Sequence, residues 1–228
     1  ADAVSSSDLD FAHLKTGRAT VYLVIPQDKV ATHGGWLGLL THQAITQVQR
    51  ASGRRQVLFL LDEFANMGKM SALAESLTAL RGFGIRLWIF VQEYADIERI
   101  YGKQMATTVF SQAGVKQLFR IESDEMAQRV SQLMGQATVK TTQYGMGKSK
   151  DKMPEPTVGE TGRSLMTPDE IRRMGTDEQL IFVSAMPPIH ARRLPYWRVK
   201  PWQRQAAANP LEGSPPSTRR AVTVPPHP

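Results

Sequence analysis

At 228 residues, 41% hydrophobic and 21% charged, the chain has the composition of a soluble globular protein large enough for one sizeable core. It contains no cysteine, which excludes disulfides and thiolate metal sites, and its five histidines form no HxxxH or HxH pair, which argues against a metal cage. The net charge of +7 and a pI of about 9.8 suit a nucleic-acid or anionic-surface partner, although much of the excess lies in loops and the tail.

Residues 1–18 read as a loop, with the polar run Ser5-Ser6-Ser7-Asp8 and with Leu9 and Phe11 as anchors. Ala19 to Ile25, β-branched and aromatic and stopped by Pro26, predicts a strand. A helix is expected from about Gly35 to Arg50, with Trp36, Leu37, Leu40, Ala44, Ile45 and Val48 as its apolar stripe. Val57 to Leu61 is an unbroken apolar run, the pattern of a strand buried on both faces, and it leads straight into Asp62 and Glu63. A helix over about Ser71 to Leu80, with Leu73, Leu77 and Leu80 on one face, ends at Arg81-Gly82-Phe83-Gly84. Ile85 to Val91 reads as another buried strand, delivering Gln92 at its tip.

Helices are expected near Ala95 and over Met105 to Ser111, then a strand over Val115 to Ile121. A helix over Ser123 to Leu133 follows, with Met126, Val130, Leu133 and Met134 inward. This alternation predicts an α/β fold, a mostly parallel sheet with helices on both faces, whose functional residues lie beyond the carboxyl ends of the strands. Asp62, Glu63 and Gln92 share that edge. Residues 135–163 are polar and aperiodic and are expected to form a flexible surface excursion. Thr167-Pro168-Asp169-Glu170 is a helix start with its cap and its Glu three residues on. Gln179 to Ala185 reads as a last strand, and Arg192 to Trp197 as a segment packed on the surface. Residues 1–202 are thus expected to form one domain and residues 203–228 a disordered, basic, Pro-rich tail. No apolar run approaches the ~20 residues that cross a bilayer. The chain alone reads as soluble and, beginning at Ala1 without an initiator Met, as a fragment of something longer.

An apolar strand that delivers Asp-Glu to the edge of a parallel sheet has the layout of a Walker B motif. The first carboxylate of such a pair helps hold Mg²⁺ and the second takes a proton from the attacking water. The same residues fit a core strand followed by acidic residues that stabilise a helix start. Arg81 suits an arginine finger reaching a neighbouring subunit's nucleotide, or a cation on its own helix dipole. Gln92 suits a γ-phosphate or water contact, or an ordinary polar strand end. Gly147-Lys148-Ser149 is not a P-loop, because GxxxxGK(S/T) needs glycine where Thr142 stands and both flanks are polar. No other match exists, so these residues lack a phosphate cradle.

Taken in order, Leu58 to Gly68, Leu80-Arg81-Gly82-Phe83-Gly84-Ile85-Arg86, Gln92 and Ile100-Tyr101-Gly102 closely resemble the type IV secretion coupling proteins, the TraG/TraD-type conjugative DNA-transfer ATPases. The resemblance runs from about Ser6 to Trp197. It implies a RecA-like P-loop NTPase fold of which this chain is the C-terminal part, without the Walker A half. For the full-length protein it implies an ATPase, with ATP and Mg²⁺ as cofactors, forming a homo-hexamer at the cytoplasmic face of the bacterial inner membrane. Single-stranded DNA, relaxase or protein effectors, and components of the type IV secretion channel are its implied partners. By motif position, Asp62 resembles the Mg²⁺-associated carboxylate, Glu63 the catalytic base, Gln92 the γ-phosphate-contacting glutamine and Arg81 the finger across the subunit interface.

Two other readings fit parts of the pattern. One is a RecA-like DNA translocase of the FtsK or HerA type, which the RGxG turn and the Tyr-Gly after Gln92 disfavour. The other is a non-catalytic fragment that binds DNA or secretion partners through its basic surface. The missing P-loop favours that reading for this chain alone, which is expected to be inactive by itself.

Overall fold

The segment after Lys29 contains no proline and, from Leu37 onward, brings an apolar residue inward about once a turn. In the computed structural model it forms one 21-residue helix, α1 (Val30–Arg50). The structure describes residues 9–70, 77, 79–144 and 156–206. The helix begins at Val30 rather than Gly35, with Gly34 and Gly35 inside it. Its buried face is Gly34, Gly38, Thr41, Ala44, Ile45 and Val48, so Trp36, expected in the apolar stripe, is 57% exposed. The glycines face inward because α1 lies directly on other backbone. A Cβ at Gly34 or Gly38 would enter the carbonyl groups of Asn66 and Met67 respectively. Backbone cannot swing aside as a side chain can, so Gly38→Val is expected to destabilise the chain by about 1–3 kcal/mol. Urea unfolding checks this, and an unchanged midpoint would show that the helix and the loop are not tightly packed.

Strands β1 (Val57–Leu61) and β2 (Ile85–Ile89) pair in parallel, with Val57 opposite Ile85 and Leu61 opposite Ile89. Alternation along the strands puts Val57, Phe59 and Leu61 with Ile85, Leu87 and Ile89 on the side of the core, which includes Ala44, Ile45 and Val48 of α1. The other face is exposed. Leu58 and Leu60 are 56% and 55% exposed and Trp88 48%, and the Trp88 and Phe90 rings stack with centroids 5.3 Å apart. Helices α2 (Tyr94–Tyr101) and α3 (Lys103–Gln112) follow and contribute Ile97, Tyr101, Ala106 and Val109 to the same core.

The strand expected over Ala19 to Ile25 carries no ladder. Val21, Leu23 and Ile25 are half-buried while Tyr22 and Val24 are more than four-fifths exposed, the alternation of a strand without a partner to hydrogen-bond. Of the helix expected over Ser71 to Leu80, residues 77, 79 and 80 are helical and the rest lies outside the described residues.

The chain divides into two units, Ala1–Lys116 with Phe182–Pro187, and Gln117–Ile181 with Pro188–Pro228. Beyond α3 come β3 (Val115–Leu118), α4 (Asp124–Met134), β4 (Gln136–Tyr144), β5 (Pro156–Ser164), α5 (Pro168–Arg172), β6 (Glu178–Val183), β7 (Ile189–Arg192) and α6 (Lys200–Gln205). Ser123 caps α4, whose buried residues are Ala127, Val130, Ser131 and Met134, while Leu133, expected inside, is 43% exposed. The capping box of α5 is present as the sequence predicts, with Thr167 and Glu170 each satisfying the other's backbone N–H. The Thr167 backbone and hydroxyl together hold the Glu170 carboxyl below the ordinary glutamate range, and Arg172 does the same for Asp169.

Where a flexible excursion is expected over residues 135–163, β4 and β5 form an antiparallel ladder that sets Val139 opposite Thr161 and Lys140 opposite Glu160. Cross-strand pairs of this kind hold an exposed ribbon together without an apolar stripe. The Gly147-Lys148-Ser149 decoy lies outside the described residues. Strands β3, β6 and β7 form a three-stranded sheet in the order β3-β6-β7, with β6 and β7 antiparallel. Helix α6 occupies the start of the expected tail, and residues 207–228 lie outside the described residues. Among the described residues no helix is long and apolar enough to cross a membrane.

Candidate functional site

The parallel register carries β1 and β2 to the same edge, and the ladder continues one step past each strand. Phe90 N–H donates to the Leu61 carbonyl at 3.0 Å, and Phe64 N–H donates to the Phe90 carbonyl at 3.1 Å. Both sides of the Asp62-Glu63 pair are therefore fastened to Phe90, and the two acidic residues form a tight turn at the strand end. Glu63 adopts a left-handed backbone, φ 52° and ψ 52°, a conformation that costs a non-glycine residue about 1–2 kcal/mol. Its carbonyl accepts from Asn66 N–H at 2.8 Å as the chain enters a 3-10 helix, Phe64–Met67.

Gln92, two residues beyond Phe90, reaches back across this edge. Its Nε2 donates to Glu63 Oε2 at 2.7 Å, which fixes the carboxylate and leaves Oε1 to accept a proton or a hydrogen bond. Asp62 is exposed and Glu63 half-buried. The structure thus brings together three of the four residues singled out in the sequence.

Arg81 is not among them. It opens a 3-10 turn, Arg81–Phe83, that precedes β2, whereas Gln92 follows it. With a rise of ~3.3 Å per residue along the intervening strand, Arg81 stands at the opposite edge of the sheet from Asp62, Glu63 and Gln92.

The turn rests on a platform that motif spacing alone does not reveal. Phe64, 1% exposed, stacks on Tyr101 with centroids 5.3 Å apart and planes 1° from parallel. The Tyr101 hydroxyl donates to the Gly68 carbonyl at 3.0 Å and accepts from Met70 N–H at 3.1 Å. Burial pushes the phenol above its ordinary value, partly offset by the Met70 N–H. From the other side, Gly34 and Gly38 of α1 bring helix backbone against Asn66 and Met67. The chain after the Asp-Glu pair is therefore held by a helix, an aromatic stack and a two-way hydroxyl. The sequence signals of this packing are a small-residue repeat inside an apolar helix and the Ile100-Tyr101-Gly102 stretch.

Among the described residues no group of three or more His, Cys, Asp or Glu converges as a metal cage. One or two carboxylates beside substrate phosphates are the donor set that Mg²⁺ prefers. Asp62, exposed at the strand edge next to a tethered Glu63, fits the protein's share of such a site; the phosphate cradle is not among the 228 residues.

The family profile described as type IV secretory system conjugative DNA transfer matches residues 1–215. The VirD4 protein of Agrobacterium fabrum is 26% identical over 201 residues, covering 86% of this chain and 30% of its own length. The conjugal transfer protein TraG of Rhizobium radiobacter is 27% identical over 208 residues, covering 87% of this chain and 32% of that protein. The chain thus spans about a third of the length of these curated relatives. Among solved structures, the bacterial conjugative coupling protein TrwB lacking its N-terminal segment, in complex with sulphate, aligns with a TM-score of 0.65 at 16% identity. That match covers 81% of this chain and 42% of that one. Plasmid coupling protein TrwB in complex with ADP and Mg²⁺ aligns at 0.59 and 17% identity, covering 74% and 38%. The fold is accordingly the α/β, RecA-like fold of those proteins.

Proposed function

The chain belongs to the type IV secretory system conjugative DNA transfer family, and from that premise we propose that it carries the Walker B part of a coupling ATPase. The intact protein uses ATP hydrolysis to deliver single-stranded DNA with its relaxase, or protein effectors, to a type IV secretion channel. It works as a homo-hexameric ring on the cytoplasmic face of the bacterial inner membrane.

The observation that carries this reading is the Gln92 to Glu63 hydrogen bond at the carboxyl edge of a parallel strand pair. Bound Mg²⁺–ATP would supply the phosphoryl group and the divalent charge that steadies its oxygens. Asp62 is the carboxylate that would hold the metal side of that group. Glu63 would take the proton of the attacking water on the oxygen that Gln92 leaves unused, and Gln92 keeps the carboxylate aimed and is the residue that would face the γ-phosphate. Arg81, at the opposite edge of its own sheet, serves the nucleotide of a neighbouring subunit.

The test is ATP hydrolysis by the intact protein with and without single-stranded DNA, alongside nucleotide binding by the 228 residues alone. The intact protein is expected to turn over ATP faster with DNA, and the isolated chain to bind no nucleotide specifically. An intact protein that neither binds nor hydrolyses ATP would overturn the reading.

A further inference from the structure

We propose that Lys15 is a positioning residue for Arg81, fastening the Arg81–Gly84 turn from beneath; the inference rests on the role given to Arg81 above. Lys15 ends a 3-10 helix, Phe11–Lys15, that is itself firmly seated. Asp10 caps it by accepting from Ala12 N–H at 2.8 Å. Phe11 is 7% exposed, and its N–H donates to Gln47 Oε1 of α1 at 3.0 Å. From this seat the Lys15 side chain runs inward until the residue is 5% exposed, and Nζ donates to the carbonyl of Phe83, a residue 68 positions further along the chain.

Two glycines from separate loops make room for it. A Cβ at Gly53 would stand 2.6 Å from the Lys15 carbonyl oxygen and 2.8 Å from the Lys15 Cβ, and one at Gly84 would stand 3.2 Å from Nζ. The next residue is held as well, since Arg55 Nε donates to the Thr16 carbonyl at 3.1 Å.

A buried ammonium ordinarily faces a carboxylate, because desolvating the charge is costly. Here its acceptor is a turn carbonyl, which ties burial of the charge to the conformation of that turn. The turn closes with Gly84 N–H on the Arg81 carbonyl at 3.0 Å, and the Gly84 carbonyl accepts from the first residue of β1, Val57, at 3.0 Å. Gly84 has φ 70°, the left-handed region in which a side chain would be strained. Arg81 is exposed, so the backbone of the turn is what sets where its side chain starts. A misplacement of ~1 Å in a catalytic group can cost about 10²-fold in rate, and the Lys15 to Phe83 bond joins the Gly84 to Arg81 and Val57 to Gly84 bonds in preventing it.

In the full-length protein, Lys15→Met keeps the length of the side chain and removes its donor. It is expected to speed amide hydrogen exchange at Gly84 at least ~10-fold. The kcat for ATP should fall about 10–100-fold with KM unchanged. Added to Arg81→Ala it should cost nothing more, since both changes remove one device. Lys15→Gln, too short to reach Phe83, should give the same split and serves if the methionine variant does not fold. Unchanged kcat, unchanged exchange at Gly84, or losses that multiply with Arg81→Ala would each overturn the proposal. Full activity in Arg81→Ala alone would instead remove the reading of Arg81, while exchange at Gly84 would still report whether Lys15 orders the turn.

Discussion

Glu63→Gln in the intact protein is expected to lower ATP turnover by about 10²–10⁴-fold, the worth of a positioned general base, while nucleotide still binds. The substitution changes little else. The amide keeps an oxygen that accepts the Gln92 bond, now 2.7 Å long, and the left-handed backbone at φ 52° is as strained for Gln as for Glu. What disappears is the basicity of the oxygen that Gln92 leaves unused. Turnover measured beside nucleotide affinity separates the two, and a variant with normal rates would remove Glu63 from the role of base.

Arg81→Ala is expected to cost ~10³-fold or more, the scale of a lost arginine finger. Position decides how it must act. Arg81 precedes β2 and Gln92 follows it, so within one subunit the guanidinium and the Asp-Glu turn lie at opposite edges of the sheet. Subunit mixing tests this directly. An Arg81→Ala subunit still offers Glu63, and a Glu63→Gln subunit still offers Arg81, so a ring built from both regains complete sites wherever the two meet in the right order. If no mixing ratio restores activity, the interface role falls.

The strand into Asp62 and Glu63, the return of Gln92 to the same edge and the capping box at Thr167 were legible in the sequence, because each depends on residues close together or on parallel register. Four features were not, each for its own physical reason. The run from Ala19 to Ile25 has strand composition, but a strand is completed by its partner, and among the described residues none pairs with it, while Tyr22 and Val24 stand exposed. The β4–β5 ribbon draws on pairs such as Val139 with Thr161 and Lys140 with Glu160, so it shows no apolar period to detect. The supports of the site join residues far apart in the chain, Tyr101 to Gly68 and Met70, and Lys15 to Phe83. Even where a residue stands in a motif stretch, as Gly68 and Tyr101 do, its neighbours in the chain do not disclose the partner. The start of α1 also lies five residues before the expected Gly35, because the apolar stripe begins at Trp36 while the first turns, with Gly34 against Asn66, pack through backbone.

The exposed side of β1 and β2 has a practical consequence. Leu58, Leu60, Trp88 and Phe90 make an oily strip on the face of the strand pair opposite the core. A separately expressed chain would carry that strip into solvent, where it invites detergent, hydrophobic dyes and stacking of one copy on another. With Trp36, Trp197 and Trp202 replaced by Phe, Trp88 becomes the strip's own indicator. An indole 48% exposed emits at long wavelength in water and shifts to the blue when an apolar surface closes over it, so its fluorescence gives a label-free reading of when this face is covered.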